Sequence, residues 1–487
     1  MVEVDQFEVS TGRFGLVQEG LPAGLARLLG PYLARQRWYA GSGVPGELRV
    51  LEGGTLVELP AQARLLWAVV VANDHRYQLL LAERPAEDAT RRVAGHEAAT
   101  LGSVEGRAYY DATVDAEMAL ALLEAASGGA YKAKVARPLG AEQSNTSVVY
   151  DDKMILKIFR RLAGGPNLDA EVTSALARAG FAHVARPVLR WRKGGTDLAF
   201  GQEYLAGGTD GWALALTSLR DLYTPEPLRG DGYKDQDRSD PEMRGGDFAA
   251  EAERLGRVTA EMHLCMAGAF GTSRDWSTSW SSLLGSLEAD LRHIGEDMVG
   301  AARSLLQRLR SLSDLGVALR PHGDYHLGQV MRTDAGWYVL DFEGEPNRPV
   351  EERLRPTSPM KDVACMLRSF DYATSYATRF QMVQAEMAGA GAQLPELAAR
   401  GEVGPRASAL EPLAQAWKER NGDAFMKGYQ SCSGIEELLP ADPADRETLR
   451  MGYELEKALY ELSYERAFRP EWAEIPLHAL RRLFGGP

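Results

Sequence analysis

Cysteine is scarce in this chain: Cys265, Cys365 and Cys432 lie far apart and form no Cys-x-x-Cys pair. Neither a disulfide framework nor a zinc site is suggested, and buried thiols are expected. Long apolar runs are also missing. No stretch reaches the eighteen or so residues of a membrane-spanning helix, and the opening Met-Val-Glu-Val-Asp-Gln lacks the basic-then-apolar order of a secretory signal. A cytoplasmic protein without membrane contact is expected. Positive charge is in deficit, with a formal net charge of −13. That argues against a nucleic-acid surface, which needs clustered Lys and Arg, so a bound nucleotide would depend on local cations. No internal repeat is found. The 487 residues, 45% hydrophobic and 25% charged, suffice for two or three soluble domains with a substantial core.

The most informative stretch is Pro321 to Glu345. Gln329–Arg332 and Trp337–Leu340 are short apolar runs flanking Thr333-Asp334-Ala335-Gly336, the composition of a hairpin closed by a Gly-containing turn. Such a hairpin brings its ends together, so Asp324 and Gln329 before it and Asp341 after it converge on one small volume. Two carboxylates and a neutral oxygen ligand suit Mg²⁺, which often takes one or two protein carboxylates and fills its other positions with phosphate and water. Asp341 and Gln329 are therefore the candidate metal ligands. Asp324 remains free to accept a proton from a hydroxyl as that oxygen attacks a γ-phosphate. Protein kinases divide the labour in this way, with a metal-binding Asn five residues after the catalytic Asp and a later Asp-Phe-Gly. Here Gln329 stands at the Asn spacing and Asp341-Phe342-Glu343-Gly344 replaces Asp-Phe-Gly. His322 and His326, in register with Asp324, are candidate substrate contacts. The alternative is a surface hairpin whose Asp residues cap turns.

Earlier in the chain, Leu65–Ala72 and Tyr77–Leu81 flank Asn73-Asp74-His75-Arg76, a second hairpin in a mainly β module that spans roughly the first hundred residues. Trp38 and Tyr39 read as packing rather than as a sugar platform. A helix is expected from Ala112 to about Ser127. The loop containing Gln143, Ser144, Asn145 and Thr146 precedes one strand, and Met154–Phe159 forms the next; its small polar residues can offer N–H groups and hydroxyls to phosphates. Lys157 sits inside that apolar strand, where an isolated ammonium is costly to desolvate, so it needs an anionic partner. Glu171, in the following helical segment, is the natural candidate beside nucleotide phosphates; snorkelling of Lys157 to solvent is the alternative. Glu203 to Leu205 end a strand at a glycine turn, where backbone groups can read an adenine edge. Residues 225–247 read as an exposed insertion, and 385–405 as an Ala/Gly/Glu-rich loop. Helices dominate the remainder. His263 reads as satisfied structure beside an apolar helix face.

Several of these segments together resemble the actinobacterial maltokinases, members of the kinase-like superfamily that includes aminoglycoside and choline kinases. They are Gln36-Arg37-Trp38-Tyr39-Ala40-Gly41, Glu142–Val149, Leu156–Arg161, His322-Gly323-Asp324 through Gln329, Asp341–Pro346 and Tyr453–Trp472. The resemblance implies an α+β, bilobal protein-kinase-like fold with an added N-terminal cap domain. Residues 1–110 would form a mainly β cap, 111–206 a linking helix and β-rich nucleotide lobe, and 207–487 a mainly helical lobe with the catalytic and metal motifs, with ATP in the cleft between lobes. It also implies phosphorylation of maltose to maltose 1-phosphate for α-glucan synthesis, with Asp324 as base, Gln329 and Asp341 on magnesium and Lys157 on phosphate. Glu343 would assist the metal or face the sugar. Sister glucosamine kinases, making glucosamine 6-phosphate, share the cap and the catalytic motifs, and some relatives are fused to or complexed with trehalose synthase.

The reaction expected is in-line phosphoryl transfer from ATP to a mono- or disaccharide hydroxyl, with Mg²⁺ as cofactor. A sugar pocket needs carboxylates, amides and an aromatic face. Glu343, Glu345, Trp417, Arg420 and Asn421 are candidates by composition and position, with helix packing the competing role for Trp417. A rival from another class is an inactive nucleotide-binding scaffold serving trehalose synthase. A protein-kinase reading is opposed by the absence of His-Arg-Asp.

Overall fold

The computed structural model describes residues 8–10, 20–140, 145–223, 246–345, 348–389 and 405–485. The chain divides into two compact units, residues 1–178 with 185–206 and residues 179–184 with 207–487.

The first unit is built on two sheets. A short strand β1 (Glu8–Ser10) and helix α1 (Ala26–Leu33) precede β2 (Leu48–Leu59), β3 (Ala63–Ala72), β4 (His75–Pro85), β5 (Thr100–Val104) and β6 (Arg107–Asp111). These last five form a sheet in the order β2-β3-β4-β6-β5, with Arg161–Leu162 joining β4. β3 and β4 meet in a two-residue turn at Asn73 and Asp74, both with left-handed backbone, the geometry that lets a tight hairpin keep its twist. β3 is apolar at nearly every position because both of its faces are covered. Leu65, Trp67 and Val69 point to one core, shared with helix α2 (Ala116–Ala126), while Leu66, Ala68 and Val70 point to another beneath α1, where Trp38 and Tyr39 are packed. Asp115 starts α2 by accepting the N–H groups of Glu117 and Met118.

The second sheet collects β7 (Ala136–Leu139), β8 (Asn145–Tyr150), β9 (Met154–Phe159), β10 (Pro187–Lys193) and β11 (Thr196–Glu203) in the order β1-β10-β11-β9-β8-β7. Helix α3 (Leu168–Arg178) follows β9, and Asn167 caps it by accepting the N–H of Ala170.

The second unit is mainly helical. Helix α4 (Gly211–Tyr223) follows the short strand β12 (Thr209–Asp210), which pairs with the hairpin β13 (Val330–Thr333) and β14 (Gly336–Val339). The hairpin expected from sequence is present, with Thr333 opposite Gly336 and Asp334-Ala335 as its turn. Helices α5 (Ala249–Phe270), α6 (Glu296–Ser311), α7 (Met360–Gly389), α8 (Pro405–Gln430), α9 (Pro443–Phe468) and α10 (Glu474–Leu483) supply most of the rest. α5 and α8 lie so close that a Cβ on Gly256 would stand 2.0 Å from the Phe425 carbonyl oxygen, and one on Gly428 1.9 Å from that of Glu253. α9 begins at Asp442, which accepts the Ala444 N–H, and buries Leu455, Leu459 and Leu462 on one face. Among the described residues no helix is long and apolar enough to cross a membrane. Most of the 225–247 insertion and of the 385–405 loop lies outside the described residues.

Candidate active site

The loop from Pro321 to Gln329 is fixed by one carboxylate that sequence reasoning missed. Asp362, near the start of α7, has no solvent exposure and accepts the backbone N–H groups of His322 at 2.8 Å and Gly323 at 3.0 Å. His263 Nε2 on α5 lies 3.2 Å from the same carboxylate, while its Nδ1 meets the Tyr429 hydroxyl of α8 at 2.9 Å. Burial alone would raise the Asp362 carboxyl, but the His263 hydrogen bond and nearby imidazole charge outweigh it and hold it below the ordinary value. Further along, the Leu327 N–H reaches Ser369 Oγ of α7 at 3.0 Å, and the buried Tyr325 hydroxyl meets Thr259 Oγ1 of α5 at 2.8 Å. The expectation that His263 is satisfied structure holds.

His322 was expected at the substrate and is instead buried. Its Nε2 meets the Leu340 carbonyl at 2.9 Å and its ring packs on Phe342 and Tyr325, with centroids 4.8 and 5.2 Å away. The ring therefore ties the loop to the segment after the hairpin. At the mouth of that segment the Gln329 amide lies 3.2 Å from Asp341 Oδ2, and carboxylate oxygens of Asp341 and Glu343 approach within 4.8 Å of one another. Asp341 takes φ 63°, a left-handed backbone uncommon for a non-glycine residue and frequent where a side chain must be aimed at a site. Two hard carboxylates and an amide fit Mg²⁺, provided the amide turns its oxygen toward the ion.

Asp324 keeps one side open. Its Oδ1 lies 3.4 Å from Lys457 Nζ and its Oδ2 3.8 Å from His326 Nε2, whose ring is partly exposed and whose Nδ1 accepts the Gly328 N–H. Lys457, on α9, is the second residue missed. Its ammonium also donates to Glu345 at 3.0 Å and sits 5.2 Å from the Tyr460 ring. Glu345 is further paired with Arg348, and Glu456 with Arg348 and Lys361. Burial would raise the Glu345 carboxyl, but Lys457, Lys361 and Arg348 overcome it and leave it at about 2. Glu345, a candidate for the sugar pocket, is thus occupied by cations.

Of the sugar-pocket candidates on α8, Trp417 and Asn421 are corrected by its packing. Trp417 is fully buried, stacked on Phe248, with its Nε1 donating to Ser218 Oγ at 2.9 Å. Asn421 is buried one turn later and donates to the Trp417 carbonyl at 2.6 Å, while Arg420 pairs with Asp247. Both Trp417 and Asn421 face the helix-packed interior rather than a cleft.

In the first unit, Lys157 does pair with a carboxylate. The partner is Asp169, at 3.2 Å, rather than the Glu171 expected. The cap at Asn167 sets the phase of α3, and two residues turn about 200° on a helix. Asp169 and Thr173 therefore face inward, and Glu171 is turned away to a half-buried position. Asn145 begins β8 and is buried; the Thr146 hydroxyl accepts from Arg160 at 2.8 Å. Gln143 and Ser144 lie outside the described residues. The Glu203 N–H is engaged by the Arg186 carbonyl at 2.9 Å and its side chain is exposed, while Leu205 is half-buried just past the strand.

Comparison with known proteins agrees with these motifs. Residues 32–115 match the maltokinase N-terminal cap domain, and residues 135–403 the phosphotransferase enzyme family. A glucosamine kinase of Mycolicibacterium smegmatis is 27% identical over 379 residues, covering 73% of this chain and 82% of that protein. Another, of Streptacidiphilus jiangxiensis, is 29% identical over 345 residues, covering 68% and 73%. A crystal structure of a glucosamine kinase aligns over 95% of this chain and 99% of its own, with a TM-score of 0.61 at 21% identity, so the α+β kinase-like fold is shared. The phosphotransferase match runs through Lys157, the Asp324 loop and the hairpin that carries Asp341, and it spans more than half of the sequence. On that ground the chain, with its maltokinase-type N-terminal cap domain, belongs to the phosphotransferase enzyme family.

Proposed function

We propose that the protein transfers the γ-phosphoryl group of ATP to a sugar hydroxyl. The observation that carries this reading is Asp324, on a loop clamped by Asp362 and tied through His322 to the Leu340 carbonyl, next to Asp341, whose carboxylate meets the Gln329 amide. Asp324 accepts the proton of the acceptor hydroxyl as its oxygen bonds to the γ-phosphorus; the bond to the β,γ-bridging oxygen breaks and ADP leaves. Asp341, Glu343 and the Gln329 amide oxygen would hold Mg²⁺, which when bound neutralises phosphate charge. Lys157, oriented by Asp169, contacts nucleotide phosphate. Most of the acceleration then comes from positioning and charge compensation.

For the acceptor, the kinship favours glucosamine, since relatives that match most of their own length act on that sugar by name. Maltose is the second reading, favoured by the cap-domain match. The test is ADP release with ATP and Mg²⁺ across glucosamine, maltose, glucose and an aminoglycoside. Asp324→Asn is expected to keep nucleotide affinity and lose about 10²-fold or more in turnover. Near-wild-type turnover in that variant would remove Asp324 from the mechanism. Tight ATP binding with no turnover on any sugar would favour an inactive scaffold.

A further inference from the structure

The strand that carries Lys157 has two faces with different surroundings. Antiparallel pairing sets Ser147 opposite Lys157 and Thr146 opposite Ile158, so Lys157 and Ser147 share one face of β8 and β9 while Thr146 and Ile158 point to the other. On that second face Val148, Leu156 and Ile158 pack in one core with Trp67 of β3, Leu80 of β4 and Met118 and Leu122 of α2. β4 also grips the end of β9. The Gln78 N–H donates to the Arg160 carbonyl at 2.8 Å, and the Gln78 side-chain amide donates to the carbonyls of Phe159 at 3.1 Å and Leu198 at 2.8 Å.

Arg160, the residue after β9, joins strands of the two sheets through its side chain. It is 1% exposed, and its guanidinium reaches two ways. Nε donates to Thr146 Oγ1 of β8 at 2.8 Å; Nη2 meets the Asp111 carboxylate at 2.7 and 2.9 Å and lies 3.3 Å from Thr113 Oγ1. Asp111, at the end of β6, also accepts from the Tyr32 hydroxyl and from the N–H and hydroxyl of Thr113. Burial would raise the Asp111 carboxyl, but Arg160 outweighs it and holds it below the ordinary value. Stability does not account for the arginine. Its Nη1 has no hydrogen-bond partner among the described residues, and a buried ion pair is often no more stabilising than well-packed apolar residues of the same volume. What a planar fork of donors does, and an apolar side chain does not, is hold strands of two different sheets in one fixed relation.

We propose that Arg160 is a positioning residue for nucleotide binding: by tying Thr146, near the start of β8, to Asp111 of the other sheet, it sets where β8 and β9 present Lys157. This inference rests on the role proposed above for Lys157 at nucleotide phosphate. Arg160 and Thr146 meet on the face turned away from Lys157, so they act through the placement of the two strands. Thr146, expected from sequence at the nucleotide, serves it from behind the sheet.

The full chain is titrated calorimetrically with ATP and Mg²⁺, with the melting temperature of each variant as a folding control. Arg160→Lys keeps a cation beside Asp111 but lacks the fork that spans to Thr146, and Thr146→Val removes the acceptor at nearly the same volume. Each is expected to weaken ATP binding about tenfold. The double variant should bind no more weakly than the weaker single one, because both substitutions cut the same link. Unchanged affinity in the folded single variants would overturn the proposal, as would losses that add in the double variant, since Thr146 and Arg160 would then act separately. If Arg160→Lys does not fold, Asp111→Asn together with Arg160→Met, which removes both buried charges at once, replaces it in the cycle. No acceptor is present in the titration, so ATP bound without transfer to any sugar counts against the transfer reading alone, and affinity unmoved by these variants counts against Arg160 alone. A wild-type chain that binds no ATP would overturn both.

Discussion

Asp362→Asn removes one negative charge and keeps the shape of the side chain. In the wild type one oxygen accepts from His322 N and faces His263 Nε2, and the other accepts from Gly323 N, all without solvent. An amide offers one acceptor oxygen. Whichever way it turns, its NH₂ group faces a backbone N–H, so one hydrogen bond to a charged acceptor is lost and one buried donor is orphaned. At about 1.5–3 kcal/mol for the bond and about 1–3 kcal/mol for the donor, the cost is about 2.5–6 kcal/mol. The loop must also shift, and a misplacement of about 1 Å at a reacting group costs about 10²-fold in rate. Urea unfolding followed by tryptophan fluorescence should show the midpoint falling by the equivalent of that energy, with kcat falling alongside. Asp334→Asn, on the exposed hairpin turn, should change neither. A shift worth less than about 1 kcal/mol in Asp362→Asn would refute the clamp.

Gly428→Ala should force α5 and α8 apart, because its Cβ would stand 1.9 Å from the Glu253 carbonyl oxygen; a loss of about 3 kcal/mol is expected by differential scanning fluorimetry. Gly300→Ala in α6, with open space around it, should be neutral or slightly stabilising in the same assay, and equal behaviour of the two would contradict the packing. The Glu345 carboxyl, at about 2 in the folded chain against 4.5 ordinarily, makes the unfolded chain bind the extra proton between those values. Its contribution, up to about 3 kcal/mol, is fully present above about pH 4.5 and lost as pH falls toward about 2. Comparing urea midpoints at pH 5 and pH 3 should show this slope, and Glu345→Gln should flatten it. Lys457→Met should lower kcat about tenfold or more with nucleotide affinity unchanged, since it strips Asp324 of its 3.4 Å cation; a purely structural lysine would lower stability and leave the kcat of the folded fraction intact.

The hairpin of β13 and β14 was legible because its cause is local: two apolar runs and a two-residue turn settle register without help from the rest of the chain. Lys157 was legible for a related reason. A strand has two faces, so a charge in a run buried on both announces a partner, and the structure supplies one. The partner's identity was not legible. It depends on where α3 begins, and moving the start by two residues exchanges the inward and outward carboxylates. Trp417 and Asn421 failed similarly, since composition states what a side chain can bind but not which way α8 turns it. Asn421 is turned inward, where its amide N–H donates to the Trp417 carbonyl four residues back on its own helix.

Asp362 and Lys457 were hidden by a more general circumstance. Helices carry charges as a matter of course, and an Asp near a helix start ordinarily reads as complementing the dipole. What separates Asp362 is its company: Val363, Ala364, Cys365 and Met366 follow it, all buried, so no neighbouring position offers a route to solvent. Lys457 stands among Leu455, Ala458 and Leu459, which are buried on α9, with Glu454, Glu456 and Glu461 nearby. Asp362 is followed only by buried apolar positions as far as Met366, whereas Lys457 alternates with carboxylates of its own helix. Each has a partner on the Asp324 loop besides others elsewhere: backbone N–H groups for Asp362, which also meets His263, and the Asp324 carboxylate for Lys457, which also meets Glu345. A buried helix charge is thus a signal for a tertiary partner, and Asp362 and Lys457, of opposite sign, both reach the same loop. Asp362 fixes the backbone of His322 and Gly323, just before Asp324, and Lys457 sets a cation beside the Asp324 carboxylate, the two conditions that the role proposed for Asp324 requires.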